Sequence, residues 1–258
     1  MTPGKAIIHS EKEVVGIRKA AQAAAFVREQ LKILIQPGLT TKEIDILAGR
    51  LIESTGGISA FLGYRGFPGQ ICISLNDEVV HGIGSENRRV IAGDLVSFDI
   101  GVTLNGYIGD NAETIIIGTP ADESAMHLIN NTRLALHEGI KAALKGNFIR
   151  DISCAVQNIA RKANLGIVRE YVGHGCGVQL HEPPEIPNYK TSDKGPRLKN
   201  GMVLAIEPML NLGTHKVKTD KDGWTVRTID AKLSAHFEHM VLINDNNPEI
   251  LTWPKKVE

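Results

Sequence analysis

Apolar residues recur at helical spacing in the first part of the chain, between clear start and stop signals. The segment Ser10 to Glu13 is typical of a capping box, and apolar positions from Val14 to Ile35 follow at intervals of three and four. Pro37-Gly38 ends this pattern. Thr40 to Glu43 is a second capping box, which opens a helix expected to run to Gly56-Gly57. The pattern predicts a helix pair.

A second helix pair is predicted further along, and alternating segments lie between and after the two pairs. Thr119-Pro120 is expected to open a helix through about Leu144, and another helix is expected from about Ile149 to Asn164. β-Branched and apolar residues alternate with polar ones in five further segments, which predicts strands. These segments are 70–75, 94–104, 107–117, 202–207 and 235–243.

The two halves of the chain match each other at a fixed shift of 108 residues. At this shift Gly38 falls on Gly146, and GDLVSFDIG (93–101) falls on GMVLAIEPM (201–209), so Asp99 matches Glu207. Agreement of two separate segments on one shift favours a duplicated α/β unit over coincidence, which remains the alternative. We expect one domain over residues 1–258, of the α+β class. Its halves, about 10–117 and 118–250, would each pack a helix pair on a mainly antiparallel sheet.

Composition narrows the class of protein. With 42% hydrophobic and 22% charged residues, the 258-residue chain has the composition of a soluble globular domain. Its 29 acidic and 29 basic residues balance, which argues against direct binding of nucleic acid or a membrane surface. The first twenty residues lack a signal-peptide core, and no apolar run reaches membrane-span length. Three cysteines without a CxxC pair favour a reducing cytoplasm.

The stretch DIGVTLNGYIGD (99–110) carries a carboxylate at each end of an apolar hairpin. Asn105-Gly106 predicts a two-residue type I′ turn, so cross-strand partners sum to 211 and Asp110 lies opposite Gly101. Asp99 then lies on the same face, diagonal to Asp110. Two such carboxylates repel each other unless a cation compensates them. The hairpin holds no arginine or lysine, so the sequence favours a divalent metal ion over a salt bridge.

Two further acids end or interrupt apolar segments. Glu207 ends the predicted strand 202–207. Glu238 lies within HFEHMVLI, where we expect it on the same strand face as His236 and Met240. A single buried glutamate is usually salt-bridged, but here two more acids join the aspartates of the hairpin.

An imidazole completes the candidate ligand set. His174 lies between glycines in VGHGCGVQLHE, and His181 follows seven residues later. Four carboxylates with a histidine are too rich in oxygen for a structural zinc site. They suit Mn(II), Fe(II), Co(II) or a carboxylate-bridged pair of such ions, as in two-metal hydrolases. HExxH, GxxxxGK[ST] and GxSxG motifs are absent from the sequence.

The order of these residues resembles that of type I methionine aminopeptidases over about residues 8–250. The matching motifs are NDEVVHGI, DIGV with GDNAET, GHGCGVQLHE, AIEPM and HFEHMVLI. The resemblance implies the pita-bread fold, in which two pseudo-symmetric halves form a curved, mainly antiparallel sheet covered by helices. It also implies a compact, bacterial-style enzyme.

The resemblance further implies two divalent ions per chain, Co(II), Mn(II), Fe(II) or Zn(II). Asp99 would bind one ion, Asp110 and Glu238 would bridge the pair, and His174 and Glu207 would complete the other shell. A metal-bound hydroxide would be the nucleophile, with Glu207 also the catalytic proton shuttle. The physiological metal is not specified.

The same resemblance assigns substrate contacts and a further cation. His81 and His181 would be catalytic residues outside the metal shell that contact the substrate peptide. Relatives form their methionine pocket from positions that match Phe61, Tyr64, Phe67, Cys72, Leu180 and Trp224 here. Many relatives have Cys in place of Phe61, Tyr in place of Phe67 and Phe in place of Leu180. Ordinary packing in the hydrophobic core is the alternative role for each pocket residue. A monovalent cation, Na or K, would lie near Asn76, Glu78 and Ser234.

The implied function is removal of the initiator methionine from nascent polypeptides whose second residue is small (Ala, Gly, Ser, Thr, Cys, Pro or Val). The implied enzyme is a cytoplasmic monomer, and association with the ribosome stays open. Two alternatives remain: an Xaa-Pro aminopeptidase or dipeptidase of the same fold, and a non-catalytic pita-bread binding protein.

Overall fold

Helices and short strands alternate along the part of the chain that the computed structural model describes, residues 6–120 and 122–254. The helices are α1 (Glu11–Leu34), α2 (Thr41–Ser54), α3 (Glu123–Ala142) and α4 (Ile149–Lys162). The strands of the first half are β1 (Ile58–Ser59), β2 (Cys72–Leu75), β3 (Glu78–Val80), β4 (Leu95–Leu104) and β5 (Tyr107–Ile116). Those that follow are β6 (Gly166–Ile167), β7 (Gly173–Gly175), β8 (Glu182–Ile186), β9 (Val203–Ile206), β10 (Met209–Asn211), β11 (Val217–Thr219), β12 (Val226–Thr228), β13 (Ser234–His236), β14 (His239–Leu242) and β15 (Glu249–Ile250).

The first helix pair begins at the predicted capping boxes. The Glu13 carboxylate accepts from the backbone N–H of Ser10 at 2.7 Å, and the Ser10 hydroxyl accepts from the N–H of Glu13 in return. Thr40 and Glu43 form the same reciprocal pair at the start of α2. Each box satisfies two backbone donors that a helix start would otherwise leave unpaired. Both predicted helices are confirmed.

The predicted start of the third helix is wrong. Helix α3 begins at Glu123, not at Thr119-Pro120, because the Asp122 carboxylate caps it by accepting from the N–H of Ser124 at 2.8 Å. Helix α4 (Ile149–Lys162) agrees with the prediction.

The hairpin β4–β5 forms with the predicted register, in which Gly101 pairs with Asp110. Its turn residues Asn105 and Gly106 have φ values of 52° and 82°, as a type I′ turn requires. On its other edge β4 pairs with β2, which sets Cys72 opposite Asp99. A five-stranded sheet in the order β15-β14-β9-β7-β8 forms further along the chain. Every strand pair in this sheet, and in the sheet that contains the hairpin β4–β5, is antiparallel.

The predicted strand 235–243 is interrupted. It forms β13 and β14, and Glu238 lies in the break between them, where its N–H donates to the carbonyl of Ala112 at 2.9 Å. His236 and Met240 still face the carboxylate cluster, since Nε2 of His236 lies 3.6 Å from Glu207 and the Met240 sulfur accepts from the N–H of Asp110. The break therefore interrupts the strand without contradicting the expected shared face of His236, Glu238 and Met240.

The strands that pair with β13 and β14 are interrupted at the same level. β13 pairs with β10 and β14 pairs with β9 in one register, so Glu207 and Glu238 face each other across the gap. Pro208 follows Glu207 and has no N–H to donate to a ladder. The two acids therefore lie opposite each other at the interruption, and the N–H of Phe237 donates to the carbonyl of Pro208 beside them.

The shift of 108 residues also relates structural features. Shifted by 108 residues, the last residue of α1 coincides with the last residue of α3. The first and last residues of α2 coincide with those of α4. Gly38 and Gly146 share a left-handed φ of 100° and 93°. The isolated bridges Thr40–Arg89 and Phe148–Arg197 correspond in both partners. These correspondences support two related halves, although the domain division itself stays a prediction.

Each helix pair covers its own hydrophobic core, and a third cluster lies where the halves meet. That third cluster includes Phe61, Phe67, Cys72 and Leu180, together with Met240. Among the described residues, none of the helices has the length and apolar character needed to cross a membrane.

Candidate metal centre and substrate cavity

A cavity of about 330 Å³ is lined by residues of both predicted halves. Its lining brings together residues that are distant in sequence: the predicted ligands and histidines Asp99, Asp110, His174, Glu207, Glu238, His81 and His181, and the predicted pocket residues Phe61, Tyr64, Phe67, Cys72, Leu180 and Trp224. Only the three residues predicted for a monovalent cation lie elsewhere.

The polar end of the cavity brings together donors from five positions along the chain. Asp99 on β4 and Asp110 on β5 share one sheet face, and His174 on β7 extends towards them. The Nε2 atom of His174 lies 3.4 Å from Oε1 of Glu207 and 3.9 Å from Oδ2 of Asp110. One ligand atom each from Asp110, His174 and Glu238 lie within 4.8 Å of one another. Donors around one ion at metal–ligand distances of about 2 Å span about 4 Å.

Within the described part of the chain, no lysine or arginine forms an ion pair with these carboxylates. Oδ1 of Asp99, Oδ1 of Asp110 and Oε1 of Glu238 are buried without a hydrogen-bond partner. Burial raises the pKa of Asp99 to about 7 despite the attraction of His236. Burial and the other carboxylates raise the pKa of Asp110 and Glu238 well above their ordinary values, and burial alone does so for Glu207. Divalent cations would supply the missing charge, so the donors fit such ions.

His174 is prepared to act as a neutral ligand. Its Nδ1 contacts the carbonyl of Gly175 at 2.9 Å, which leaves Nε2 directed at the carboxylates. Burial, reinforced by His181, lowers the pKa of His174 to about 3. A neutral imidazole with one nitrogen hydrogen-bonded to a carbonyl is the usual form of a metal-bound histidine.

Comparison with known proteins agrees with this geometry. The family model described as metallopeptidase family M24 matches residues 15–245. The methionine aminopeptidase of Clostridium acetobutylicum is 45% identical over 246 residues, which cover 95% of this chain and 98% of that protein. Methionine aminopeptidase 1 of Bacillus subtilis is 46% identical with the same coverage. The crystal structure of methionine aminopeptidase from Rickettsia prowazekii superimposes with a TM-score of 0.93 and 37% identity, over 96% of this chain and 100% of that one.

The chain belongs to the methionine aminopeptidases of metallopeptidase family M24.

Membership confirms the pita-bread fold and a hydrolase that uses divalent metal. Full-length similarity to methionine aminopeptidases favours that function over the Xaa-Pro and non-catalytic alternatives.

Two further histidines of this methionine aminopeptidase line the cavity beside the ligands. Burial, with smaller contributions from His236 and His181, lowers the pKa of His81 to about 4. His81 also has a left-handed φ of 60°, an uncommon conformation that the surrounding structure must hold. Nδ1 of His181 lies 2.8 Å from the Tyr64 hydroxyl, and its ring centroid is 4.3 Å from that of His174. Both histidines are therefore held close to the carboxylates.

The apolar end of the cavity is part of the hydrophobic interior. The rings of Phe67 and Trp224 meet edge to face, with centroids 5.1 Å apart. Phe61, Cys72 and Leu180 are buried. These side chains belong to the hydrophobic core and also line the cavity. A role in core packing therefore does not exclude a role in a substrate pocket.

The residues predicted for a monovalent cation lie close together but are otherwise engaged. The N–H of Ser234 donates to the carbonyl of Asn76 at 2.8 Å. The Glu78 carboxylate is paired with Arg227 at 2.6 Å and with Arg88. The cation therefore stays a prediction that depends on backbone oxygens.

Some cavity residues were missed by sequence reasoning. They are Arg65, Val80, Glu170, Tyr171 and Val172. Arg65 follows the predicted pocket residue Tyr64, and Tyr171 and Val172 lie just before Gly173, which precedes His174. Proximity to the predicted motifs was the available signal. His236, which contacts Glu207 at 3.6 Å, was noted only as a strand neighbour of Glu238.

Proposed function

We propose that this methionine aminopeptidase removes the initiator methionine from nascent polypeptides and peptides whose second residue is small. The observation that carries the proposal is the single cavity in which an acid-rich ligand cluster adjoins an apolar pocket. Such a cavity can hold a methionine side chain at one end and the scissile peptide bond at the other. A crowded polar end disfavours a large second side chain.

The ligand assignment rests on the resemblance to methionine aminopeptidases, and the gathering of the donors at one end of the cavity supports it. Asp99, Asp110, His174, Glu207 and Glu238 would hold the divalent ions. Co(II), Mn(II), Fe(II) and Zn(II) all accept this set. When bound, the ions supply Lewis acidity and lower the pKa of a water molecule.

Glu207 is placed to hold and move the proton. One carboxylate oxygen lies 3.4 Å from His174 and the other lies 3.6 Å from His236, while 12% of the side chain stays exposed to the cavity. A carboxylate so placed can take a proton from attacking water and deliver it to the leaving amine.

His81 and His181 would orient the substrate peptide. Both are uncharged at neutral pH, since their pKa values are lowered mainly by burial. The Tyr64 hydroxyl on Nδ1 of His181 fixes the ring and leaves Nε2 for the substrate. A neutral imidazole can donate to the peptide carbonyl and stabilise charge that develops there.

The walls of the other end would select methionine. Phe61, Phe67, Cys72, Leu180 and Trp224 present apolar or soft surface, which suits a long, unbranched thioether. Tyr64 would border both ends, because its ring lines the cavity and its hydroxyl contacts His181.

The proposal extends to the compartment, the oligomeric state and the partners of the enzyme. We place it in the cytoplasm as a monomer that acts on nascent N-termini, without direct contact with nucleic acid or membrane. Association with the ribosome is left open. Light scattering during sizing tests the monomer, and a larger mass would contradict it.

Peptide cleavage after metal exchange tests the proposal. Metal-stripped protein would be given Mn(II), Fe(II), Co(II) or Zn(II) and offered Met-Ala-Ser, Met-Leu-Ser and Ala-Pro-Ser. We expect methionine release from Met-Ala-Ser only, at least 100-fold slower in Glu207→Gln. Cleavage of Ala-Pro-Ser instead would favour the Xaa-Pro alternative. Metal binding without any cleavage would favour the non-catalytic one.

A further inference from the structure

A buried histidine stands behind the metal centre without an assigned role. His236 ends strand β13 and is 1% exposed. Its Nε2 atom is buried without a hydrogen-bond partner and lies 3.6 Å from Oε2 of Glu207. A buried polar nitrogen with no partner is costly, and structures rarely keep one without a reason. The residues that line the cavity do not include His236, so it approaches the centre from the protein side.

The surroundings hold His236 firmly. One hydroxyl, that of Thr114 on β5, accepts from the N–H of His236 and donates to its carbonyl, both at 2.8 Å. The Ser97 hydroxyl on β4 contacts Thr114 at 2.8 Å, which extends the support to the strand that carries Asp99. The backbone of His236 is thus fixed to the hairpin β4–β5 from which two of the carboxylates extend.

His236 also lies near two of the candidate ligands, Asp99 and Glu207. It lowers the pKa of Asp99, and Asp99 in turn raises that of His236 against the larger effect of burial. Glu207 lies on its other side at 3.6 Å, just beyond hydrogen-bonding distance. A small rotation of the Glu207 side chain would bring the two atoms within that distance.

We propose that His236 is a positioning residue of the metal centre, whose Nε2–H donates to the Glu207 carboxylate and holds it in the orientation that binds metal. It acts through Glu207 and does not contact the substrate. Partners behind metal ligands commonly set ligand orientation, and their loss weakens metal binding by about 10–100-fold. The inference rests on the proposed metal centre.

The test compares two substitutions that differ in one property. His236→Leu keeps much of the volume but removes the donor, whereas His236→Gln keeps a donor. We expect the leucine variant to bind Mn(II) about 10–100-fold more weakly by calorimetry. It should also change the visible absorption of the Co(II)-loaded protein and lower kcat for Met-Ala-Ser more than it raises KM. The glutamine variant should recover most of the affinity and the wild-type spectrum.

A neighbouring histidine provides the matched control. His239 is also buried, but its Nδ1 faces Thr252 and Arg28 instead of the carboxylates. His239→Leu should lower the melting temperature while leaving the Mn(II) affinity within about threefold of wild type.

Three results would overturn the inference. Wild-type Mn(II) affinity and an unchanged Co(II) spectrum in His236→Leu would make His236 an ordinary core residue. Equal losses in the leucine and glutamine variants would exclude the donor, and an equal loss in His239→Leu would indicate general loosening of the segment. If the wild-type protein itself bound no divalent ion, the proposed centre would fail with it.

Discussion

Four carboxylates line the polar end of one cavity, where Asp110 and Glu238 are buried and Asp99 and Glu207 are partly buried. Burial is the main factor that raises their pKa values, and three of them leave an oxygen without a partner. Without metal the cluster should therefore lower the stability of the fold, because buried charges that lack compensation are costly. With metal the same atoms would become ligands.

Replacing one proposed ligand should separate these two effects. Asp110→Asn keeps the size of the side chain but removes a charge. We expect its metal-free form to melt at a higher temperature than metal-free wild type, while the rise on adding Mn(II) becomes smaller. Differential scanning calorimetry with and without chelator measures both. A lower metal-free melting temperature together with an undiminished response to Mn(II) would contradict the assignment.

The contact between Tyr64 and His181 makes a second prediction at this scale. Tyr64→Phe keeps the apolar wall but removes the hydroxyl that lies 2.8 Å from Nδ1 of His181. A net hydrogen bond is worth about 1 kcal/mol, so kcat/KM for Met-Ala-Ser should fall about fivefold. Leu62→Ala, at a half-exposed neighbouring site outside the cavity, is the control. Unchanged kcat/KM in Tyr64→Phe would mean that His181 needs no such support.

At the scale of elements, a helix start or a strand could be predicted from the sequence when adjacent residues determine it. The two capping boxes and the turn Asn105-Gly106 are determined by adjacent residues, so the helix starts and the hairpin register could be predicted. The start of α3 depends on Asp122, a capping residue that the stronger Thr119-Pro120 signal obscured. The break at Glu238 depends on a partner strand interrupted at Pro208, which no local pattern contains.

The same reasoning explains which site residues could be found. Motif positions such as Asp99 and His174 carry their own signal in charge and flanking glycines. Arg65 lines the cavity with a left-handed φ of 51°, and His236 reaches the centre through contacts made far along the chain. Those placements arise from tertiary packing, which sequence periodicity does not encode.

The turn before strand β8 offers an element-scale prediction. Glu182 accepts from the N–H groups of Val178 and Gln179, both at 2.8 Å, and its other oxygen lies 3.1 Å from the His9 ring. The turn carries His181 towards the cavity. Glu182→Gln should lower the free energy of unfolding by about 1–3 kcal/mol at pH 7, because the charge-assisted contacts are lost. Urea unfolding measures this.

The pH dependence of this difference has a definite sign. Burial raises the pKa of Glu182, but His9 and the two backbone donors outweigh it and leave the pKa below its ordinary value. A lowered pKa contributes stability above about pH 4.3, and this contribution is lost as the pH falls further. The gap between wild type and Glu182→Gln should therefore shrink between pH 5 and pH 3. A gap that stays constant would show that the charge of Glu182 contributes nothing.

At the scale of the whole molecule, the cluster lies where the two predicted halves meet. Asp99 and Asp110 come from the predicted first half, whereas His174, Glu207 and Glu238 come from the second. A bound ion would thus link these halves, whose helix pairs cover separate hydrophobic clusters.

Metal should accordingly stabilise the molecule as a whole. At a free Mn(II) concentration of about 100 times Kd, binding to the folded state alone adds about 2.7 kcal/mol. For a chain of this size that predicts a rise in melting temperature of roughly 5–10 °C. Hydrogen exchange should slow in both halves, and Asp110→Asn should lose most of the effect. Slower exchange in one half only would mean that the ions do not join them.

The most direct test of the central claim counts ions and turnover in one titration. Metal-stripped protein would receive Mn(II) stepwise, with bound metal and methionine release from Met-Ala-Ser measured at each step. We predict no release without metal, and release that rises in step with occupancy and levels off by two ions per chain. Release that persists in excess chelator, or occupancy that rises without any release, would contradict a methionine aminopeptidase centred on these five ligands.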